Sequence, residues 1–191
     1  MRITRRQLKK LVQEASVQQN TPEQKLLDLV KTGDVNQADS LALALDIDLF
    51  PVLATDYQAV KALLGDLINS SDLENYMYMV ADNSLYDRGF FNAMMYALPQ
   101  FPSLTFGMSI RDIEDLINNN PEKFEIYLDA EMGLQMTYSS VLVSGGSMLE
   151  VARDWLIGIG FLKLERMYNV ATNSGQEFSI ADALSSLRLK K

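Results

Sequence analysis

Few residues in this chain could do chemistry, because its 191 residues include no cysteine and no histidine. That removes thiol nucleophiles, His-based triads, zinc fingers, haem-thiolate sites and the commonest general base. Carboxylates, Lys, Tyr and Ser remain. Close acidic sets occur at Asp46 and Asp48, at Asp112, Glu114 and Asp115, and at Asp129 and Glu131. Such sets can hold Ca²⁺ or Mg²⁺ or exchange protons. None has the order of an EF-hand loop, with its central Gly and closing Glu, and none adjoins a phosphate loop. Ser144-Gly145-Gly146-Ser147 lacks the Lys of a P-loop and reads as a turn followed by a helix cap. In a chain with 25 acids, the carboxylate sets read as solvated helix faces. The expectation is a non-enzymatic protein with no catalytic residue, no metal ligand and no cofactor.

Charge is more informative, because it is segregated. Residues 1–14 carry Arg2, Arg5, Arg6, Lys9 and Lys10 against Glu14, a net +4. The last four residues, Arg188 to Lys191, add +3. Between them, residues 15–187 hold nine bases and 24 acids, a net −15. Such a body repels phosphate backbones, so general nucleic-acid binding by it is not expected. A basic end suits a polyanion or an acidic protein surface. No run approaches the ~18 apolar residues of a membrane span, and no apolar stretch of a secretory signal follows Lys10.

The basic segment also has a helical pattern. Leu8, Leu11, Val12 and Ala15 fall on one stripe of a helix over about 4–18, with Thr4 as cap. The partner-docking residues read from it are Arg2, Arg5, Arg6, Lys9 and Lys10 with Leu8, Leu11 and Val12. The run Arg2, Ile3, Thr4, Arg5, Arg6, Gln7, Leu8, Lys9, Lys10, Leu11, Val12 and Glu14 resembles the leader of many small proteins of T4-like and marine tailed phages. In T4-like phages such leaders resemble capsid-targeting peptides, cut after a Leu/Ile-x-Glu triplet. The resemblance covers about 15 residues and implies processing at Val12-Gln13-Glu14, before Ala15. Val12 stands where the family has Leu or Ile. The bland alternative is a basic helix docked permanently on the acidic body.

The elements that position these residues read as mostly helical. Thr21, Pro22 and Gln24 make a capped start, Gly33 a stop, and a second helix runs over about 36–45. Further helices are expected from Thr55 or Asp56 to about Asn69, from Ser70 or Ser71 to about Val80, and from about Ser84 to Leu98. Another starts at Ser109, with Asp112 in the capping-box position. Leu134 to Ser144 has the composition of a strand. A helix from Ser147 is expected to end at Gly158-Ile159-Gly160, with strands at 161–166 and 178–180 around an Asn173-Ser174-Gly175 turn, and a last short helix from Ala181. That order resembles a winged-helix end. A DNA-reading version needs basic residues on its helix and wing. Here Arg153 stands against Glu150 and Asp154, and the wing tip has no base, which favours protein binding or simple packing over DNA reading. Tyr76-Met77-Tyr78-Met79, Met94-Met95-Tyr96, and Met132 with Met136 suit either an adaptable interface or core filling.

The sequence therefore predicts a mainly α chain with a small β element near the C-terminus. Residues 1–19 form a basic helix or leader, 20–48 a helical hairpin, and 49–191 a mainly helical body with a winged-helix-like end at 147–191. The function expected is that of a structural or interaction protein, a tailed-phage virion or assembly component located in the virion or the host cytoplasm. Its partners would be capsid or other virion proteins, and an oligomer is compatible with it. The alternative is a winged-helix-like regulatory adaptor binding protein or, less favoured, DNA.

Overall fold

The computed structural model describes residues 21–84, 86, 89–120 and 146–188. The docking and processing residues from Arg2 to Ala15, the strand expected at 134–144, the Asp129/Glu131 pair and Met132 with Met136 lie outside them. The described residues form nine α-helices and two short 3₁₀ turns, and no strand is found among them.

The chain enters through a helical hairpin. Helix α1 (Pro22–Lys31) starts as its sequence dictates, with Pro22 in the first turn and Thr21 Oγ1 accepting from the Gln24 amide. Gly33, at φ 85°, reverses the chain into α2 (Val35–Ala44). Leu26, Leu27 and Val30 of α1 meet Ala38 and Ala42 of α2, small residues that let the two helices approach closely. A short α3 (Leu49–Ala54) follows, then α4 (Tyr57–Gly65), capped by Asp56. Lys31 Nζ reaches Asp56 Oδ2 at 2.6 Å and ties α1 to that cap. The hydrogen bond from Lys31 holds the Asp56 carboxyl below its usual range. Its contribution to stability is therefore present at neutral pH and is lost as pH falls through that lowered value.

Helices α5 (Ser70–Asn83) and α6 (Phe90–Ala97) form the next pair. The expected start near Ser84 gives way to Phe90, because Gly89 at φ 70° breaks the chain just before it. Tyr76 is fully buried between the pair and donates its hydroxyl to the Met94 carbonyl at 2.9 Å. The 3₁₀ turns Leu98–Gln100 and Pro102–Thr105 lead to α7 (Ile110–Asn119), which has the full capping box of Ser109 and Asp112.

The C-terminal third corrects the sequence reading. Residues 161–166 are not a strand; they lie inside α8 (Gly146–Asn173), a single helix of 28 residues. At 1.5 Å per residue it is about 42 Å long. Residues 178–180 do not pair either, since Ile180 opens α9 (Ile180–Arg188). The winged-helix-like end is thus absent, and the physical reason is burial. From Trp155 to Leu164 nearly every residue of α8 is enclosed, glycines included, so the helix is apolar all round and shows no stripe. Helices α4, α5, α7 and α9 pack on it. Gly160 does not terminate the helix; its missing side chain makes room for the Phe106 ring. The alternation of Phe161, Leu162, Lys163 and Leu164 is what a strand would show, produced here by a helix whose surroundings are apolar on most sides.

Helix α9 is held from outside its own turn. Asp39 of α2 accepts from Ser179 Oγ at 2.9 Å, from the Ala181 amide at 2.8 Å and from the Ile180 amide at 3.3 Å. A carboxylate 140 residues away in sequence thereby caps the last helix. Asp39→Ala is expected to lower stability by about 0.5–2 kcal/mol, with Asp39→Asn intermediate because one acceptor oxygen survives. Urea denaturation of the three proteins measures it, and equal midpoints would rule the cap out.

Candidate functional site

Four aromatic contacts organise the surface around the segment that joins α8 to α9. Phe50, in the first turn of α3, is buried and stacks on Phe161 (centroids 5.5 Å apart) and on Tyr168 (4.6 Å), both from α8. Phe178, from the segment joining α8 to α9, meets Phe50 edge-on at 5.9 Å and Tyr168 at 5.5 Å. Phe50 has to reach α8, and Asp48 makes that possible. One oxygen of Asp48 caps α3 at the Phe50 amide (3.3 Å), and the other accepts from Tyr168 Oη at 2.5 Å. That hydrogen bond to a carboxylate pushes the Tyr168 phenol above its ordinary range.

The cluster fixes the 176–179 segment, and an open trough lies on each side of it. The first, of about 590 Å³, runs between this segment, the end of α2 and the start of α3. The second, of about 600 Å³, lies towards α7 and the middle of α8. Gln176, Glu177, Phe178, Ser179 and Asp182 line both. The two differ in charge. Among the described residues the first is lined by Asp39, Asp46, Asp48, Glu177 and Asp182 and by no Lys or Arg. The second sets Lys163 and Arg166 beside Asp112, with Arg166 Nη1 3.9 Å from that carboxylate.

Both troughs also expose aliphatic side chains. Leu43, 67% exposed, lines the first, and Val170, 61% exposed, lines the second. Leu45, one residue beyond α2, is exposed as well. Elsewhere the expected Met and Tyr enrichment divides. Tyr76, Met77 and Met94 are core, while Tyr78 and Tyr96 stand on the surface.

No protein-family model, curated protein or solved structure matches the chain. Of the acids in the first trough, Asp39 and Asp48 are committed to caps. Asp46, Glu177 and Asp182 are exposed, and among the described residues none of the three pairs with a base. No group of three carboxylates is placed to hold a metal ion among the described residues. What the first trough offers is a mixed lining, with apolar side chains such as Leu43, Ile47 and Phe178 set among acids.

The sequence-predicted sites distribute unevenly. Of the carboxylate sets, Asp46 and Asp48 do reach the trough, while Asp112 serves its capping box and its carboxyl is held low by the Ser109 hydrogen bonds. Arg153, Lys163 and Arg166 do not make one basic face. Lys163 and Arg166 line the second trough, and Arg153 does not. Arg153 reaches Ser70 Oγ at 3.4 Å, and Lys163 Nζ donates to the Phe106 carbonyl. The residues that sequence reasoning missed are Leu43, Phe50, Tyr168 and Phe178. One signal was present: Leu41 and Leu43 stand two positions apart within a helix, so they cannot both face the core.

Tyr168→Phe tests the Asp48 contact. A phenol with a raised pKa contributes stability fully below its unfolded value near 10, and that contribution is lost as pH rises through the folded one. The variant is expected to be less stable by about 0.5–1.5 kcal/mol at neutral pH. The gap should close in strongly alkaline solution. A gap independent of pH would show that the hydroxyl is not the cause.

Proposed function

We propose that this chain is a non-enzymatic interaction protein of a tailed-phage particle, an assembly or virion component. Its basic segment, Arg2 to Val12, docks on particle protein, and its acidic helical body presents contact surface. The observation that carries the interaction reading is the first trough, where the exposed Leu43 lies among acids with no base among the described lining residues. Open surfaces that set exposed apolar side chains among charges suit protein partners, in which the apolar contacts supply binding and the charges supply orientation. The phage setting rests on the resemblance of residues 2–14 alone. Among the described residues no helix is long and apolar enough to cross a membrane, so membrane insertion is not part of the reading.

The test is peptide mapping of the native protein from purified particles and from the soluble fraction of the source. The expected result is particle-associated protein. A start at Ala15 would add processing, and a start at Met1 would make the segment a permanent dock. Recovery from the soluble fraction only would overturn the virion reading. Reversing Arg5, Lys9 and Lys10 to Glu is expected to weaken particle association roughly tenfold or more.

A further inference from the structure

The first trough and the basic segment are complementary in two independent ways. The trough has a mixed lining, in which Leu43 is exposed and Ile47 and Phe178 are half-buried, with three exposed acids, Asp46, Glu177 and Asp182, beside them. The segment has an apolar stripe of Leu8, Leu11 and Val12 flanked by Arg5, Arg6, Lys9 and Lys10. The path of the chain brings them together. Helices α1 and α2 are ten residues each and are joined by a turn of three residues, so they run antiparallel. The start of α1 therefore lies beside the end of α2, which is the wall of the trough that carries Leu43 and Asp46. Between Glu14 and Thr21 there are six residues, which span at most about 20 Å when extended.

We propose that the first trough holds the chain's own basic amphipathic segment, residues 2–14, so that the docking segment is masked on its own body until a partner surface displaces it. Only the last clause rests on the function proposed above. Each exposed ion pair is weak on its own. A short linker offsets this, because it supplies an effective concentration in the millimolar range, enough to keep a weak site filled within one molecule. The same weakness makes the segment exchangeable: a partner with more apolar area and comparable acidity would win. Masking of this kind would prevent basic segments from binding the acidic bodies of other copies before a particle is reached. It would also be sensitive to salt, since the rim acids are exposed.

The absence of native cysteine makes the full chain suitable for site-specific labelling. A nitroxide placed on Gln7→Cys of the ¹⁵N-labelled full-length protein is expected to broaden the amides of Leu43, Ile47 and Glu177, and to spare those of Tyr78 and Asn92. In a mixture of nitroxide-labelled chain without ¹⁵N and ¹⁵N-chain without nitroxide, that broadening should disappear. High salt, or the triple change Asp46→Asn, Glu177→Gln and Asp182→Asn, should reduce it by roughly tenfold in occupancy. Three results would overturn the proposal. They are broadening centred elsewhere on the body, broadening that persists in the mixed sample (a second copy fills the trough), and broadening indifferent to both salt and the triple change. None of these bears on particle association, which the fractionation reads separately.

Discussion

Phe50→Ala is expected to be among the most destabilising single changes in the described body, at about 3–5 kcal/mol. Phe50 is only 4% exposed, yet it lies in a helix of six residues that could not persist alone. Its ring joins three others from two separate segments: Phe161 and Tyr168 of α8, and Phe178 beyond it. Aromatic pairs of this geometry add about 0.5–1.5 kcal/mol each beyond burial. Truncation leaves a cavity that Tyr168 cannot fill without leaving Asp48, so collapse is resisted and the cost stays high. Phe178 loses the ring beneath it, so the segment between the troughs should loosen. Thermal and urea unfolding measure the first effect, and hydrogen exchange of the Gln176–Ser179 amides measures the second. Tyr78→Ala, at a residue 77% exposed, is the control and should stay within about 0.5 kcal/mol of the parent. A loss below about 1 kcal/mol for Phe50→Ala would mean that the cluster does not anchor α3.

How much of this was legible in the sequence depends on distance along the chain. Local signals read correctly where the partners are a few residues apart. Thr21 with Pro22, the Gly33 reversal, Asp56, and Ser109 with Asp112 are each visible within four positions, and each stands where expected. The aromatic hub was invisible because Phe50 and Phe161 are 111 positions apart, and the only pattern that Phe161 belongs to reads as a strand. The same holds for the Asp39 cap of α9, whose bonds span 140 to 142 residues. The C-terminal misreading has a different origin. Periodicity detects a boundary between core and water, and α8 has little such boundary between Trp155 and Leu164. With the stripe gone, Gly158 and Gly160 read as a stop and the following alternation as a strand. Of the candidate site, Asp46 and Asp48 were legible as a pair, but their role depends on Tyr168 and Phe178 arriving from α8 and the segment after it.

Gly160→Ala tests that account of α8 directly, and its sign is the informative part. In an ordinary helix interior the change is stabilising by about 1 kcal/mol, because alanine loses less backbone freedom than glycine. Here a Cβ on Gly160 would sit 2.9 Å from Phe106 Cζ and 3.1 and 3.2 Å from its two Cε atoms, well inside contact. An exposed ring would swing aside at little cost. Phe106 is 3% exposed, and its backbone stands at φ 49°, a left-handed conformation that a non-glycine residue holds only when its surroundings enforce it. Its carbonyl also accepts from Lys163, one turn along α8 from Gly160. The ring is thus pinned at its base and enclosed at its tip, and overpacking of this kind costs about 1–3 kcal/mol. The penalty exceeds the propensity gain over most of that range, so Gly160→Ala should be net destabilising. Gly65→Ala makes the same chemical change at the end of α4, where among the described residues nothing lies within 4 Å of the added carbon, and it should be neutral or stabilising. Pairing Gly160→Ala with Phe106→Leu should recover part of the loss, since the smaller side chain vacates the clash and the two positions couple through it. Stabilisation by Gly160→Ala alone would mean that the Phe106 ring is free to move, and that glycine at 160 is not required for the close packing of the 3₁₀ turns on α8.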